Sequence, residues 1–301
     1  MYLMLRIVLG IAVFCVCASA VCSWMITRYG TFTAFDIDPG ACGCAFTRFS
    51  VDGARGARLS GWVVSAPGSR AVLIASHGIA DSKNGILPFV IPFVTAGYTV
   101  VLYDLRHHNE STGKHCTLGY WETEDLLRVT DYVVANVAGG RPVCYWGFSL
   151  GATVSLLAAA RRADIAAVIA QSPFTSMREV VGYYLWHFYH LPAALVVPLA
   201  LRISAWRSGM RAEEVDVLAA APALRRVPVL LIGSPTDRQV PLRWLQRIQA
   251  ALGANCELLI GPYGHDGMAQ AQNSPAHGVL TDTEHALVFL NKIVGAQREW
   301  K

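Results

Sequence analysis

A serine, an aspartate and a histidine stand in this sequence where apolar runs give way to loops, and together they could carry out acyl transfer. Ser149 lies in Gly147-Phe148-Ser149-Leu150-Gly151, with a β-rich apolar run before it and a small-residue, helix-forming run at 152–160 after it. Gly-x-Ser-x-Gly at a strand-to-helix junction is a nucleophile elbow, a turn so tight that small residues must flank the serine. Such a turn lifts the hydroxyl above the sheet edge. It also aims the amide of Leu150 and the positive end of the next helix at a developing oxyanion. A serine hydroxyl needs a base to take its proton, and the base needs a carboxylate to fix its tautomer. Asp237 follows the apolar run 227–233 and precedes Pro241, while His265 follows the run 256–260 within Gly261-Pro262-Tyr263-Gly264-His265-Asp266-Gly267. The order Ser, Asp, His at three strand ends predicts a Ser149, Asp237, His265 triad.

Other residues compete for these roles. Asp237 could simply cap the helix after it. His277, in a loop after Pro275, and His285, in the last helix, do not directly follow a strand, so His265 is preferred. Asp266 reads as a carboxylate bracing its loop, and Ser172 as part of the site wall. The second oxyanion donor is expected from Ser76-His77-Gly78-Ile79 after the apolar run 71–75. The amide of Ile79 would face the carbonyl, Gly78 would allow close approach, and His77 would be a structural hydrogen-bonding residue. Adjacent His107 and His108 point apart in an extended loop and no carboxylate cluster joins them, so no metal and no cofactor is expected. Asn109-Glu110-Ser111 fits a glycosylation acceptor by pattern and is read as incidental.

The elements that must position these residues are legible as short apolar strands. Two mixed strands read at 45–51 and 58–65 on either side of the turn Asp52-Gly53, and apolar runs at 71–75, 99–103, 166–170, 227–233 and 256–260 join the strand that ends at the elbow. Wholly apolar runs of this length are strands buried on both faces of a parallel sheet. Helices are predicted at 86–96, from Glu122 through Val137, at 152–160, from Pro241 to Leu252, and at 281–294. Glu122, Glu124 and Asp125 would complement the dipole of the second of these. The alternation predicts an α/β fold, a mostly parallel central sheet with helices on both faces. It breaks between Ser172 and about Val217, where Tyr183, Tyr184, Trp186, Phe188 and Tyr189 crowd together before an apolar run. A helical lid over the site is expected there, with ordinary core packing or a membrane-dipping surface as the alternatives. The implied division is 1–28, 41–173 as the first part of the core, 174–217 as the lid, and 218–301 as the second part.

At the N-terminus no charge appears from Ile7 to Ile26, a length that can cross a bilayer as a helix. Arg6 precedes it, and Trp24 and Arg28 lie near its far end as interfacial anchors would. Ala18-Ser19-Ala20 also fits a signal-peptide cleavage site. The first reading makes a single-pass, membrane-anchored protein, the second a secreted or periplasmic one. With the N-terminus inside, both place the domain outside the cytoplasm. Apolar residues are 53% and charged ones 15% of 301, and the net charge of +4 is unclustered, so no nucleic-acid partner is expected. The eight cysteines form no zinc-like spacing; Cys144 and Cys256 read as core residues, and Cys42-Gly43-Cys44 could cross-link in an oxidising compartment.

From about residue 45 to 295 the chain resembles an α/β-hydrolase of the serine aminopeptidase-like, monoglyceride-lipase-like group. The resemblance is carried by Ser76-His77-Gly78, by the stretch from Asp104 to Ser111 against Asp-x-Arg-Gly-His-Gly-x-Ser, by Gly147 to Gly151, by Asp237 with Val240-Pro241, and by Gly264-His265. It implies the triad named above, with oxyanion amides from Ile79 and Leu150. His107 and Asn109 stand where that group has glycines, which suggests an altered loop near the pocket. The expected activity is hydrolysis of an ester, thioester or amide, most simply a small-molecule or lipid-like acyl ester. A peptidase, acyl transfer to an alcohol and a non-catalytic binding scaffold are the rival readings, because this fold hosts many functions.

Overall fold

The computed structural model describes residues 1–28, 30, 37–262, 264–265 and 277–298. Eight strands form one sheet: β1 (Phe46–Asp52), β2 (Arg58–Val64), β3 (Val72–Ser76), β4 (Thr99–Tyr103), β5 (Val143–Phe148), β6 (Ile165–Gln171), β7 (Val229–Gly233) and β8 (Cys256–Ile260). Their order is β1-β2-β4-β3-β5-β6-β7-β8, and only β2 runs against the others. The strands β3, β4, β5 and β7 are buried along their whole length. This is the burial that their unbroken apolar character requires, since a parallel sheet is covered on both faces.

Nine helices are described: α1 (Tyr2–Arg28), α2 (Lys83–Thr95), α3 (Tyr120–Val133), α4 (Leu150–Ala160), α5 (Met177–Tyr189), α6 (Ala193–Ser208), α7 (Val217–Leu224), α8 (Leu242–Leu252) and α9 (His277–Arg298). Ile86, Leu87 and Val90 of α2 pack with Phe289, Leu290 and Val294 of α9 on one face of the sheet. Leu126 and Val129 of α3, Val154 and Leu157 of α4, and Leu245 and Ile248 of α8 pack on the other. The expected α/β architecture with both faces covered is therefore the one formed.

Several local expectations need correction. α9 begins at His277, so that residue opens a helix instead of lying in a loop. α2 starts at Lys83, earlier than its apolar run, because the Ser82 hydroxyl caps it by accepting from the Gly85 amide. Of the acidic residues opening α3, Glu122 does satisfy the helix start, accepting from the amides of Thr117 (2.7 Å) and Gly119 (2.9 Å). Asp125 instead faces inward and takes two hydrogen bonds from the Arg106 guanidinium, at 2.7 and 2.8 Å.

The strand order decides where a site can form. β3 connects outward to β4, and β5 then pairs on the opposite side of β3. A crevice opens at the carboxyl ends of strands where the order reverses in this way. The turns after β3 and β5 share it. A buried ion pair fixes the first turn: Lys83, fully buried at the start of α2, donates to Asp104 Oδ2 (2.5 Å) at the end of β4 and to Glu110 Oε2 (2.8 Å). Its ammonium also lies 4.7 Å from the centre of the Trp62 ring. Lys83→Ala would strand the Asp104 carboxylate in the interior, so we expect a loss of about 3–5 kcal/mol of unfolding free energy. Adding Asp104→Asn should recover part of it, measured by urea unfolding of the single and double variants.

Candidate active site

Ser149 occupies the junction between β5 and α4 with φ 53° and ψ −114°. A non-glycine residue at positive φ is held there by its surroundings. Here the surroundings are backbone. A Cβ on Gly147 would lie 2.3 Å from the Gly151 carbonyl oxygen, and one on Gly151 would lie 2.2 Å from the Ser76 carbonyl oxygen. The two glycines therefore let α4 start directly against the turn that follows β3. The Ser149 amide donates to Gln171 O at 2.8 Å, and the Thr153 amide to Ser149 O at 3.1 Å, fixing the residue between β6 and α4.

Asp237 lies in the loop after β7, with its side chain almost wholly buried. Its two oxygens divide the work. Oδ1 accepts from the amides of Gln239 (2.9 Å) and Val240 (2.8 Å), which braces the loop leading to Pro241 and α8. Oδ2 accepts from Ser172 Oγ and from His265 Nδ1, both at 2.9 Å. Asp237 thus braces its own loop and partners the histidine, while α8, with Pro241 at its N-cap, takes no side-chain cap from it. Burial alone would push the Asp237 carboxyl up. The hydrogen bond and charge of His265, the Val240 amide and the Ser172 hydroxyl outweigh that and hold it below the ordinary aspartate value.

His265 donates from Nδ1 to the carboxylate, which leaves Nε2 as an acceptor 3.0 Å from Ser149 Oγ. Its ring packs on Phe148, with centres 4.8 Å apart. Three side chains separated by up to 116 positions are in this way joined by two hydrogen bonds. Asp266, expected to brace this loop, lies outside the described residues. Ile79 and Leu150 both line the same cavity as Ser149. Among the described residues their amides take no backbone partner outside the regular elements. That cavity, about 250 Å³, is walled mainly by apolar side chains, including Leu118, Phe174, Val181 and Leu185.

The neighbouring histidines are structural. His77 Nδ1 donates to Gly78 O (2.6 Å) and Nε2 accepts from the Leu105 amide (2.9 Å), tying the end of β3 to the end of β4. His108 donates from Nδ1 to Arg106 O (2.8 Å) and accepts at Nε2 from the Ala80 amide (3.2 Å), one residue past Ile79. His107 turns away to Gly113 O at 2.9 Å. Among the described residues no three His, Cys, Asp or Glu side chains gather as a group able to hold a metal ion. His107 and Asn109 have φ of 64° and 44°. The loop thus keeps the left-handed conformations that favour glycine, and side-chain hydrogen bonds offset their cost. For Asn109 these run to Asn84 Oδ1 (3.0 Å) and Asp104 Oδ2 (3.1 Å). The backbone reason for the glycines is therefore retained without them.

Sequence reasoning left two contributors unassigned. Ser172 was expected in the wall and instead donates to Asp237; its position just past β6 was the available signal. For His108 the sequence argues against a metal and assigns no role of its own; its signal is its register with the histidine of the Asp-x-Arg-Gly-His-Gly-x-Ser pattern.

The sheet, its switch point and the elbow define the α/β-hydrolase fold. The family model of serine aminopeptidase, S33, matches residues 67–207, a stretch that holds Ser149 and the turn after β3 but ends before Asp237 and His265. The uncharacterized protein YqkD of Bacillus subtilis (strain 168) is 29% identical over 229 residues, covering 75% of each chain. Lysophosphatidylserine lipase ABHD12 of Macaca fascicularis is 34% identical over 117 residues, which is 37% of this chain and only 29% of the lipase. The esterase Pf2001 of Pyrococcus furiosus superposes with a TM-score of 0.71 at 22% identity, over 89% of this chain and 98% of the esterase. Est1E of Butyrivibrio proteoclasticus, solved with ferulic acid, gives 0.63 at 19% identity, over 82% and 99%. The chain therefore has the α/β-hydrolase fold, and its residues 67–207 are similar to the serine aminopeptidase, S33, family.

A pH dependence follows from His77 and His108. Burial, first of all, holds both imidazoles below the ordinary histidine value, His77 far below it. The unfolded chain protonates them near pH 6.5 while the folded one does not, so stability is full above about pH 6.5 and declines as pH falls toward the lowered values. We expect His108→Gln to flatten the slope between about pH 6.5 and 5 by up to ~1.4 kcal/mol per pH unit. Urea unfolding at a series of pH values checks this.

Proposed function

We propose that the protein is a membrane-anchored serine hydrolase that cleaves a lipophilic carboxylic ester through an acyl-enzyme. The observation that carries this reading is the pair of hydrogen bonds from His265 to Ser149 (3.0 Å) and to Asp237 (2.9 Å) at one end of an apolar cavity. In the proposed cycle His265 Nε2 takes the Ser149 proton as Oγ attacks the ester carbonyl. The amides of Ile79 and Leu150 stabilise the tetrahedral oxyanion. His265 then returns the proton to the departing alkoxide, which leaves as the alcohol, and the acyl group stays on Oγ. Water adds by the same route, its proton passing to Nε2 and then back to Ser149 Oγ as the acid departs. Asp237 keeps the proton on Nδ1 throughout and offsets the charge of the imidazolium.

The surroundings favour an ester with an apolar acyl part. No Asp or Glu lines the cavity among the described residues, so it offers no carboxylate to a peptide's free α-amine, and this speaks for an esterase over an aminopeptidase. We assign residues 174–217, which hold α5 and α6, the role of a cap, because Val180, Val181, Tyr184, Leu185 and Tyr189 cover one side of the cavity. α1 is long and apolar enough to span a bilayer, and with its N-terminus inside it would hold the domain outside the cytoplasm.

Ser149→Ala or His265→Ala should lower turnover of a medium-chain para-nitrophenyl ester by at least about a thousandfold. A fluorophosphonate should label the parent and not Ser149→Ala. Ser172→Ala, which removes one donor from Asp237, should lower kcat by about tenfold. Near-parental turnover in Ser149→Ala would refute the assignment. Faster cleavage of aminoacyl anilides than of esters would favour the peptidase.

A further inference from the structure

α1 divides into an exposed stretch and a docked one. Residues 2–14 are exposed, whereas Ser19, Cys22, Ser23, Ile26 and Thr27 are buried against the domain. The docked face is small and polar. Ser19 Oγ donates to Val196 O at 3.1 Å, and Ser204 Oγ donates to Ser23 Oγ at 2.9 Å. Small residues at such an interface let helix backbones approach closely, a packing mode that needs no water to drive it. The pairing of 19 with 196 and of 23 with 204 makes α6 run in the same sense as α1. The first turn of α6 therefore lies toward the exposed half of α1. Near that end stand Trp186, Phe188, Tyr189 and Leu195, all exposed although large and apolar.

Lengths fit this division. Residues 2–18 at about 1.5 Å each measure ~26 Å, close to the ~30 Å hydrocarbon core of a bilayer, with Arg6 one turn from the start, where its long side chain can reach the headgroups. The exposed half thus accounts for a membrane span. The docked half begins where the bilayer would end, at the level of aromatic residues suited to the interface. The cavity lies just beyond. Cys22, Met25 and Ile26 of α1 wall it together with Tyr184 and Tyr189 of α5, and Ser149 lies on the same cavity.

We propose that α1 is a substrate-selecting wall of the active site: an acyl chain passes from the bilayer between α1 and the α5–α6 turn and lies against Cys22, Met25 and Ile26, with its carbonyl at Ser149. Cleavage after Ala20 would remove Ser19 and the membrane span, so this role requires the retained helix. The inference rests on the serine-hydrolase reading for the chemistry at Ser149, and on the cavity alone for where the chain lies.

The test uses full-length protein in detergent micelles. Met25→Trp and Ile26→Trp, which fill the wall, should lower the ratio of kcat/KM for a palmitoyl ester over an acetyl ester by at least about tenfold. Met25→Ala, which adds room, should move the ratio the other way. Leu9→Trp, on the exposed half, should leave both rates at the parental level. An unchanged ratio in every wall variant, with Ser149-dependent acetyl ester turnover intact, would overturn the inference and leave the hydrolase reading standing. If no Ser149-dependent turnover is found, binding decides: cis-parinarate should bind the parent and bind Met25→Trp at least about tenfold more weakly. Equal binding, or none to the parent, would overturn it. Intact mass of protein from membranes should include residues 1–20; a mature chain starting at Val21 would overturn passage from the bilayer.

Discussion

The closest backbone approach in the site organises the rest. Gly151, in the first turn of α4, lies so near the Ser76 and His77 carbonyls that a Cβ would overlap both. That contact couples the turn after β3 to the turn after β5, the two strands flanking the reversal of strand order. It brings Ile79 and Leu150 to one cavity and holds Ser149 at a positive φ between them. Strain at one residue is tolerable because the sheet on one side and the helix on the other leave the chain no other path.

Around this junction the polar groups are buried and paired. Lys83 with Asp104, Arg106 with Asp125, and His77 and His108 with backbone amides form a shell behind the turn that carries Ile79. Such groups are costly to desolvate, and each is retained here with its partners in place. Their effect is positional. They fix the ends of β3 and β4 against α2 and against the 104–111 loop, so the amide side of the cavity is rigid. The imidazole side is held differently, by one carboxylate whose oxygens accept four hydrogen bonds.

The opposite wall has another character. α5 and the last two turns of α1 present mainly apolar side chains to the cavity, and α6 packs behind α1 with few polar anchors. The cavity is thus bounded by hydrogen-bonded polar groups beside Ser149 and by apolar side chains along α5 and α1. The exposed aromatics on α5 and the exposed half of α1 share one end of that wall. Solvent exposure of so much apolar surface is costly in water and natural at a bilayer.

What the sequence determined is what local periodicity and local chemistry encode. Apolar runs set the inner strands, Gly-x-Ser-x-Gly between strand and helix set the elbow, and the residues following β7 and β8 supplied Asp237 and His265. The uncharged stretch from Ile7 to Ile26 set α1. The tertiary structure alone decided what meets what. An apolar run does not say which strand lies beside it, so the adjacency of β3 and β5 could not be read from the chain. Ser172 sits 65 positions from Asp237, and Ser19 sits 177 from Val196. His107 and Asn109 looked like departures because side-chain identity is visible in a sequence and backbone conformation is not. Nor could the sequence show that the last turns of an apolar N-terminal helix wall the cavity at Ser149, since a helix long enough to cross a membrane carries the same signal whether or not its end docks on the domain.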